Sequence, residues 1–354
     1  MQPDVDVKRV LLIRFRRVGD SVLAVCVCKS LKKTFPGVKI DFVLNENIAD
    51  LYEGHPDIDR IIRFSNEENY SFRKYILYVW RIMHETHYDV IIDMRSTIKT
   101  LFFSMFSLST PFRIGVRKKY GLFFYNYRVE NRKNPLHSMV ESDLMLLKPL
   151  EKLAQVQYDV SFDLYVSEQE KEAYRDYMQH HGIDFTKPVV LVAAATRILG
   201  KEWSLERMKM VIRKIIDHYQ PQIIFNYSGE REKAICVELY KMLEQDRHIF
   251  IDIEANSLLE LRALVSLCDF FFGNEGGPRH IAQALNVPSY AIYPPGVPKK
   301  IWLPGNNDRF QGLSPDDMMP DNGKMTKEER FDLLTIDSVW NKLDGMLNTY
   351  LRGK

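Results

Sequence analysis

The sequence predicts an α/β fold with two mostly parallel sheets, one in each half of the chain. Three observations carry this. Short apolar runs alternate with segments of helical periodicity, the pattern of βαβ units. The alternation occurs twice, with a break between about residues 165 and 187. The 354 residues with 45% hydrophobic content suffice for two sizeable cores.

In the first half, strands are expected at 9–14, 38–44, 60–64, 89–94 and 112–116. The first is followed by a helix over 22–34, whose Val22, Leu23, Val25, Cys26 and Leu31 form an apolar face and whose lysines at 29, 32 and 33 suit its last turns. A second helix is expected over 71–86, with Ile76, Leu77, Trp80 and Met83 facing one side. Ser167 to Glu170 is a capping-box pattern that opens a helix ending near Gly182, and Pro188 precedes a fresh strand at 189–193. The second half continues with strands at 222–225, 249–253, 269–272 and 289–293 and helices at about 204–219, 230–244 and 257–267. The polar segment 306–329, rich in Asp, Asn, Pro and Gly, is expected to be a long loop. A last helix over 336–351 is read as a brace reaching back to the first half. The domains are therefore 1–165, a linker and helix over 166–187, 188–330, and the terminal segment 331–354.

Two segments carry chemistry. The apolar run ending at Gly273 breaks into Asn274-Glu275-Gly276-Gly277-Pro278-Arg279-His280 and turns helical through Ile281 to Leu285. A strand, a glycine-rich turn and a helix N-terminus present backbone N–H groups and a positive dipole end to a diphosphate. Glu275 and His280 flank that point, one suited to a ribose hydroxyl and the other to the phosphates. An ordinary strand-to-helix connection is the competing reading. At the other end of the chain, Arg14 closes the first strand and Gly19-Asp20-Ser21 opens the first helix. Asp20 reads as an N-cap or as an acid at a strand tip, where open α/β sheets bind ligands.

Taken together, these segments resemble glycosyltransferase family 9, the ADP-heptose:lipopolysaccharide heptosyltransferases. The matching residues are Ile13-Arg14 with Gly19-Asp20-Ser21-Val22-Leu23, then Gly200-Lys201-Glu202-Trp203-Ser204-Leu205-Glu206-Arg207, then Asn274 through Leu285. The chain departs from the family pattern at Glu275-Gly276-Gly277, where many members carry Asp-Thr-Gly, and at Ala193 to Thr196, where members often read His-Pro-Gly-Ala. The resemblance implies the GT-B architecture, two Rossmann-like domains facing a central cleft. It implies an inverting transfer of a sugar, heptose from ADP-heptose, to a lipopolysaccharide or related cell-surface glycan. Asp20 would be the general base. Thr196, Lys201, Glu275, Gly276, Gly277 and His280 would hold the nucleotide-sugar donor.

Acceptor binding is assigned to Arg14, Arg95, Arg113, Arg117, Lys118 and Lys119. The last four belong to a basic cluster that continues through Arg128, Arg132 and Lys133, is opposed only by Glu130, and is interleaved with Tyr120, Phe123, Phe124, Tyr125 and Tyr127. Such a mixture suits a phosphorylated glycolipid or an anionic leaflet; a solvated charge run is the alternative.

No cofactor is expected and no metal. The diphosphate would be held by Lys201 and the helix dipole, since Asp57-Ile58-Asp59, the one Asp-x-Asp spelling weighed, lies in the first half. Lys201 reads equally well as a surface lysine when the resemblance is set aside. Net charge is +2, which argues against nucleic acid as a partner. Cys26, Cys28, Cys236 and Cys268 lack metal-ligand spacing and are expected as reduced core thiols. The first ten residues have too few apolar positions for a signal peptide, and no apolar run approaches the ~20 residues that cross a bilayer. A cytoplasmic monomer is expected, with the inner-membrane surface as a peripheral partner. A sugar-nucleotide epimerase and a non-catalytic nucleotide-sugar-binding homologue are the remaining alternatives. No Gly-x-Gly-x-x-Gly follows the first strand of either half, which disfavours a nicotinamide enzyme.

Overall fold

The computed structural model describes residues 6–121, 123–130, 137–305 and 307–352. The chain divides into two compact units, Met1–Tyr165 and Val166–Lys354. The first holds β1 (Arg9–Ile13), β2 (Lys39–Asn45), β3 (Arg60–Phe64), β4 (Val90–Asp93), β5 (Phe112–Val116) and β6 (Tyr127–Val129). Their order is β3-β2-β1-β4-β5-β6, and every pair is parallel. The second holds β7 (Val189–Ala193), β8 (Gln222–Phe225), β9 (Phe270–Asn274), β10 (Ser289–Ile292) and β11 (Phe310–Leu313), ordered β11-β10-β9-β7-β8 and again parallel throughout. Helices cover both faces of such sheets, so the central strands are apolar along their length rather than alternating. Leu11, Leu12, Val190, Leu191, Phe271 and Phe272 are fully buried.

Strand order fixes where each sheet can bind. In an open parallel sheet the chain leaves neighbouring strands in opposite directions at one point, and a crevice opens beyond their carboxyl ends. That point lies between β1 and β4 in the first unit and between β7 and β9 in the second. The residues leaving these four strands are Arg14 onward, Met94 onward, Ala194 onward and Glu275 onward.

Several expectations need correction. The first helix is two, Val18–Leu23 and Val25–Thr34, joined at Ala24. The helix Phe72–Glu85 buries Tyr75, Val79, Ile82 and Met83, while Leu77 and Trp80 point to solvent. The four residues expected on one side therefore do not share one environment: both stripes of this helix are apolar, and only packing on the sheet selects which is buried. Residues 249–253 form no strand and contribute a single bridge, Ile223 to Ile249. The segment 306–329 is not a loop: it contains the edge strand β11 and the short helix Pro315–Met318. The helix Ile336–Leu351 buries Val339, Leu343, Met346, Leu347 and Leu351 in the second unit's own core, beside Ile212, Ile216 and Phe270. Its apolar face thus has a partner within its own unit. The helix Glu168–His180 likewise packs on Leu258–Ser266 within the second unit, where Glu170 pairs with the fully buried Arg262 at 2.7 Å.

Candidate active site

In the first unit, Asp20 sits in the first turn of Val18–Leu23, whose N-cap is Arg17, so Asp20 is a first-turn acid rather than the cap. Asp20 accepts a hydrogen bond from Arg14 Nη2 at 3.1 Å, and Arg14 Nη1 donates to the Met94 carbonyl oxygen at 3.1 Å. One guanidinium therefore joins the chain leaving β1 to the chain leaving β4. Ser21 is fixed beside them: it donates to the Arg17 and Val18 carbonyls, and the buried Tyr52 hydroxyl donates to it at 2.6 Å. Burial opposes the charge of Arg14, but Asp143 and Asp20 more than offset this and raise its pKa. Asp143 was not anticipated from sequence. It is fully buried on the helix Met139–Leu144, with Oδ1 3.8 Å from Arg14 Nη1. Its carboxyl is pushed up to about 6 by burial, against the attraction of Arg14 and with the repulsion of Asp20.

The turn after β4 is locked by Asp93. Its Oδ1 accepts the Arg95 and Ser96 amides at 3.0 and 2.7 Å, and Tyr125 donates to its other oxygen. Arg95, half-buried, is lowered in pKa by burial and then by the charge of Arg14, with Asp20 opposing. It therefore stands in the same electrostatic cluster.

The other expected acceptor residues separate. Lys118 donates to the Arg95 carbonyl at 2.6 Å and so stays near the turn. Arg113 donates through Nε to the Phe124 carbonyl at 2.8 Å and through Nη1 to the Leu108 and Thr110 carbonyls, tying loops together. Arg117 pairs with Glu130 at 3.7 Å on the surface, and Lys119 is exposed. Arg132 and Lys133 lie outside the described residues. Asp59 is a brace: burial opposes its ionisation, but Lys32, Lys39 and the Ile40 amide lower it to about 2.

In the second unit, Asn274 at the end of β9 assembles the site. Its Oδ1 accepts the Trp203 amide at 2.9 Å and its Nδ2 donates to the Ala193 and Ala194 carbonyls at 3.3 and 2.6 Å. Three sequence blocks meet at this amide. Gly273 is required here, because a Cβ would lie 2.3 Å from the Ala193 oxygen and φ is +147°. Glu275 and the Gly276 cap then lead into the helix Gly277–Ala284, with Pro278 at its first positions.

The side chain of Glu275 lies 3.3 Å from His280 Nε2. Burial opposes its ionisation, but the His280 contact and the charges of Arg279 and Lys201 hold its pKa below the ordinary value. His280 is 2% exposed and packs against Arg279, so it supports Glu275 from inside. Lys201 is half-buried, close enough to act on Glu275, and its ammonium forms no hydrogen bond or ion pair among the described residues. Thr196 donates to the Ile198 carbonyl at 2.8 Å, and its own carbonyl accepts from Arg231, which also pairs with Glu202.

All four cysteines are buried, and none forms a disulfide among the described residues. Among the described residues, no helix is long and apolar enough to cross a membrane.

Two parallel α/β units, each with charged residues beyond its strand-reversal point, have the GT-B fold of the solved heptosyltransferase structures. The match of residues 76–331 to the family model of glycosyltransferase family 9 (heptosyltransferase) places the chain in that family: it belongs to glycosyltransferase family 9. Lipopolysaccharide heptosyltransferase 1 of Campylobacter coli is 22% identical over 301 residues, covering 80% of this chain and 83% of that protein. The crystal structure of a glycosyl transferase family 9 protein from Veillonella parvula superposes with a TM-score of 0.80 at 19% identity over 98% of each chain. The E. coli heptosyltransferase structure with ADP-2-deoxy-2-fluoro heptose gives 0.70 at 16% identity, over 95% of this chain and 99% of that one. The fold and the enzyme class are thus those that the sequence motifs led one to expect.

Proposed function

We propose that the protein transfers heptose from ADP-heptose to a lipopolysaccharide-core or related glycolipid acceptor, with inversion, and that Asp20 removes the acceptor proton. The observation that carries this reading is the pairing of Asp20 with Arg14 at the reversal point of the first sheet, in a chain of this family. Glycosyl transfer needs a base on the acceptor and positive charge on the departing diphosphate. Lys201 and the N-terminal amides of Gly277–Ala284 supply the second, with Gly276 and Gly277 leaving room for phosphate and Glu275 meeting a sugar or ribose hydroxyl. With these groups the diphosphate is held without a metal ion. Thr196 shapes the loop after β7. An ADP-heptose analogue in the E. coli relative supports adenine as the nucleobase.

Arg14 and Arg95, with Lys118, offer charge to a phosphate or carboxylate on the acceptor. The exposed Phe72, Ile98 and Phe123, with Arg117 and Lys119 nearby in the chain, suit the headgroup layer that carries such a glycolipid. The working unit is read as a monomer on the cytoplasmic face of the inner membrane.

Asp20→Asn is expected to retain ADP binding and to lose transfer by about 10² or more, the scale of a general base. Near-normal turnover would remove Asp20 from the mechanism. The epimerase alternative makes product from donor alone, whereas this reading requires acceptor. Thermal shifts against ADP-, GDP- and UDP-sugars decide the donor, since a ligand of the native state raises apparent stability.

A further inference from the structure

We propose that Asp143 is a positioning residue for Asp20, acting through the guanidinium they share. The inference rests on the reading of Asp20 as the base. Arg14 is gripped through Nη1, which donates to the Met94 carbonyl at 3.1 Å and lies 3.8 Å from Asp143 Oδ1; Nη2 is left to Asp20 at 3.1 Å. Asp143 is fully buried, and neither of its oxygens has a hydrogen-bond partner among the described residues. A buried carboxylate without hydrogen bonds is costly. Its helix neighbours Val140 and Leu144 show that an apolar side chain suits this face of Met139–Leu144. The charge is therefore retained for what it does to Arg14.

The charged and titratable groups facing Asp143 are Arg14 beyond β1, Asp20 on Val18–Leu23 and the buried thiol of Cys26 on Val25–Thr34. Among the described residues, Arg14 is the one that attracts it. Asp143, Asp20 and Arg14 by themselves carry one net negative charge when both acids are ionised, with the half-buried Arg95 beside Arg14 and Asp20. Asp143 then draws on the guanidinium and keeps it from neutralising Asp20 completely. When Asp143 takes a proton, Arg14 turns wholly to Asp20 and the base is masked. Because burial holds the Asp143 carboxyl at about 6, this change falls between pH 5 and 7.

The test measures acceptor-dependent transfer at saturating donor from pH 5 to 8 for the wild type, Asp143→Asn, Asp20→Asn and the double variant. The wild type is expected to show an acid limb near pH 6. Asp143→Asn is expected to lose about tenfold or more in kcat at pH 8, a cost of misorienting a reacting group, with donor KM unchanged and that limb absent. In the Asp20→Asn background the same substitution should change nothing further, because residues acting through one another are not additive.

Losses that multiply in the double variant, or an acid limb that persists in Asp143→Asn, would overturn the proposal. Normal turnover by Asp20→Asn would instead remove the base itself, and this inference with it. If Asp143→Asn does not fold, Arg14→Lys carries the same comparison: it keeps the charge and removes the fork. The expected result is again a loss in the wild-type background and none beside Asp20→Asn.

Discussion

Gly273 shows how one residue position can depend on a contact remote in sequence. Its φ of +147° and the 2.3 Å that a Cβ would have from the Ala193 oxygen both follow from β9 running tightly beside β7. Backbone cannot yield as a side chain end can, so Gly273→Ala is expected to cost about 3 kcal/mol, at the upper end of overpacking penalties. A melting temperature within a degree or two of the wild type would contradict this. Among the site residues, Asp20 and Lys201 were legible because their neighbours Arg14, Gly19 and Trp203 are spelled in short motifs. Asp143 was not, since Met139–Leu144 carries two acids, Glu141 and Asp143, with nothing local to single one out, and its partner Arg14 lies some 130 positions earlier. His280, expected from sequence to sit beside phosphate, is buried in contact with Glu275 and Arg279.

At the scale of elements, the central strands were readable because a parallel strand covered on both faces is apolar at every position. β1, β4, β5, β7 and β10 fall within or on their expected spans. Of the edge strands, β3 and β8 were found but β6 and β11 were not: these two have partly exposed ends and sit in polar surroundings, and their pairing with β5 and β10 is decided by the sheet. The terminal helix Ile336–Leu351 was found by its period, but its destination was not. Removing residues 333–354 would uncover the core that Val339, Leu343, Met346, Leu347 and Leu351 fill. At about 2 kcal/mol for each such side chain, the loss is comparable with a domain's whole stability of about 5–15 kcal/mol. The truncated chain is expected to lose the cooperative unfolding transition of the second unit while that of the first persists. A calorimetric trace with both transitions intact would show that the helix is dispensable.

At the scale of the molecule, each unit has its own sheet and its own buried cluster, with Leu11, Phe64 and Tyr75 in one and Val190, Met208 and Phe272 in the other. Residues 166–354 expressed alone are therefore expected to fold and to gain stability with ADP, since Lys201, Glu275 and the Gly277–Ala284 helix all lie in that fragment. Absence of an ADP-dependent thermal shift in a folded fragment would place donor binding elsewhere.

By itself the sequence determined the α/β class, the repeated plan, the central strands and the motif residues at their tips. All of these depend on local periodicity and on chemistry confined to a few neighbouring positions. Only the tertiary structure decided which stripe of Phe72–Glu85 turns inward, where Ile336–Leu351 is buried, how the edge strands pair, and that Asp143 joins Asp20 at one guanidinium. Those outcomes are contacts between segments far apart in the chain, and their energy comes from burial and charge pairing that no local window contains.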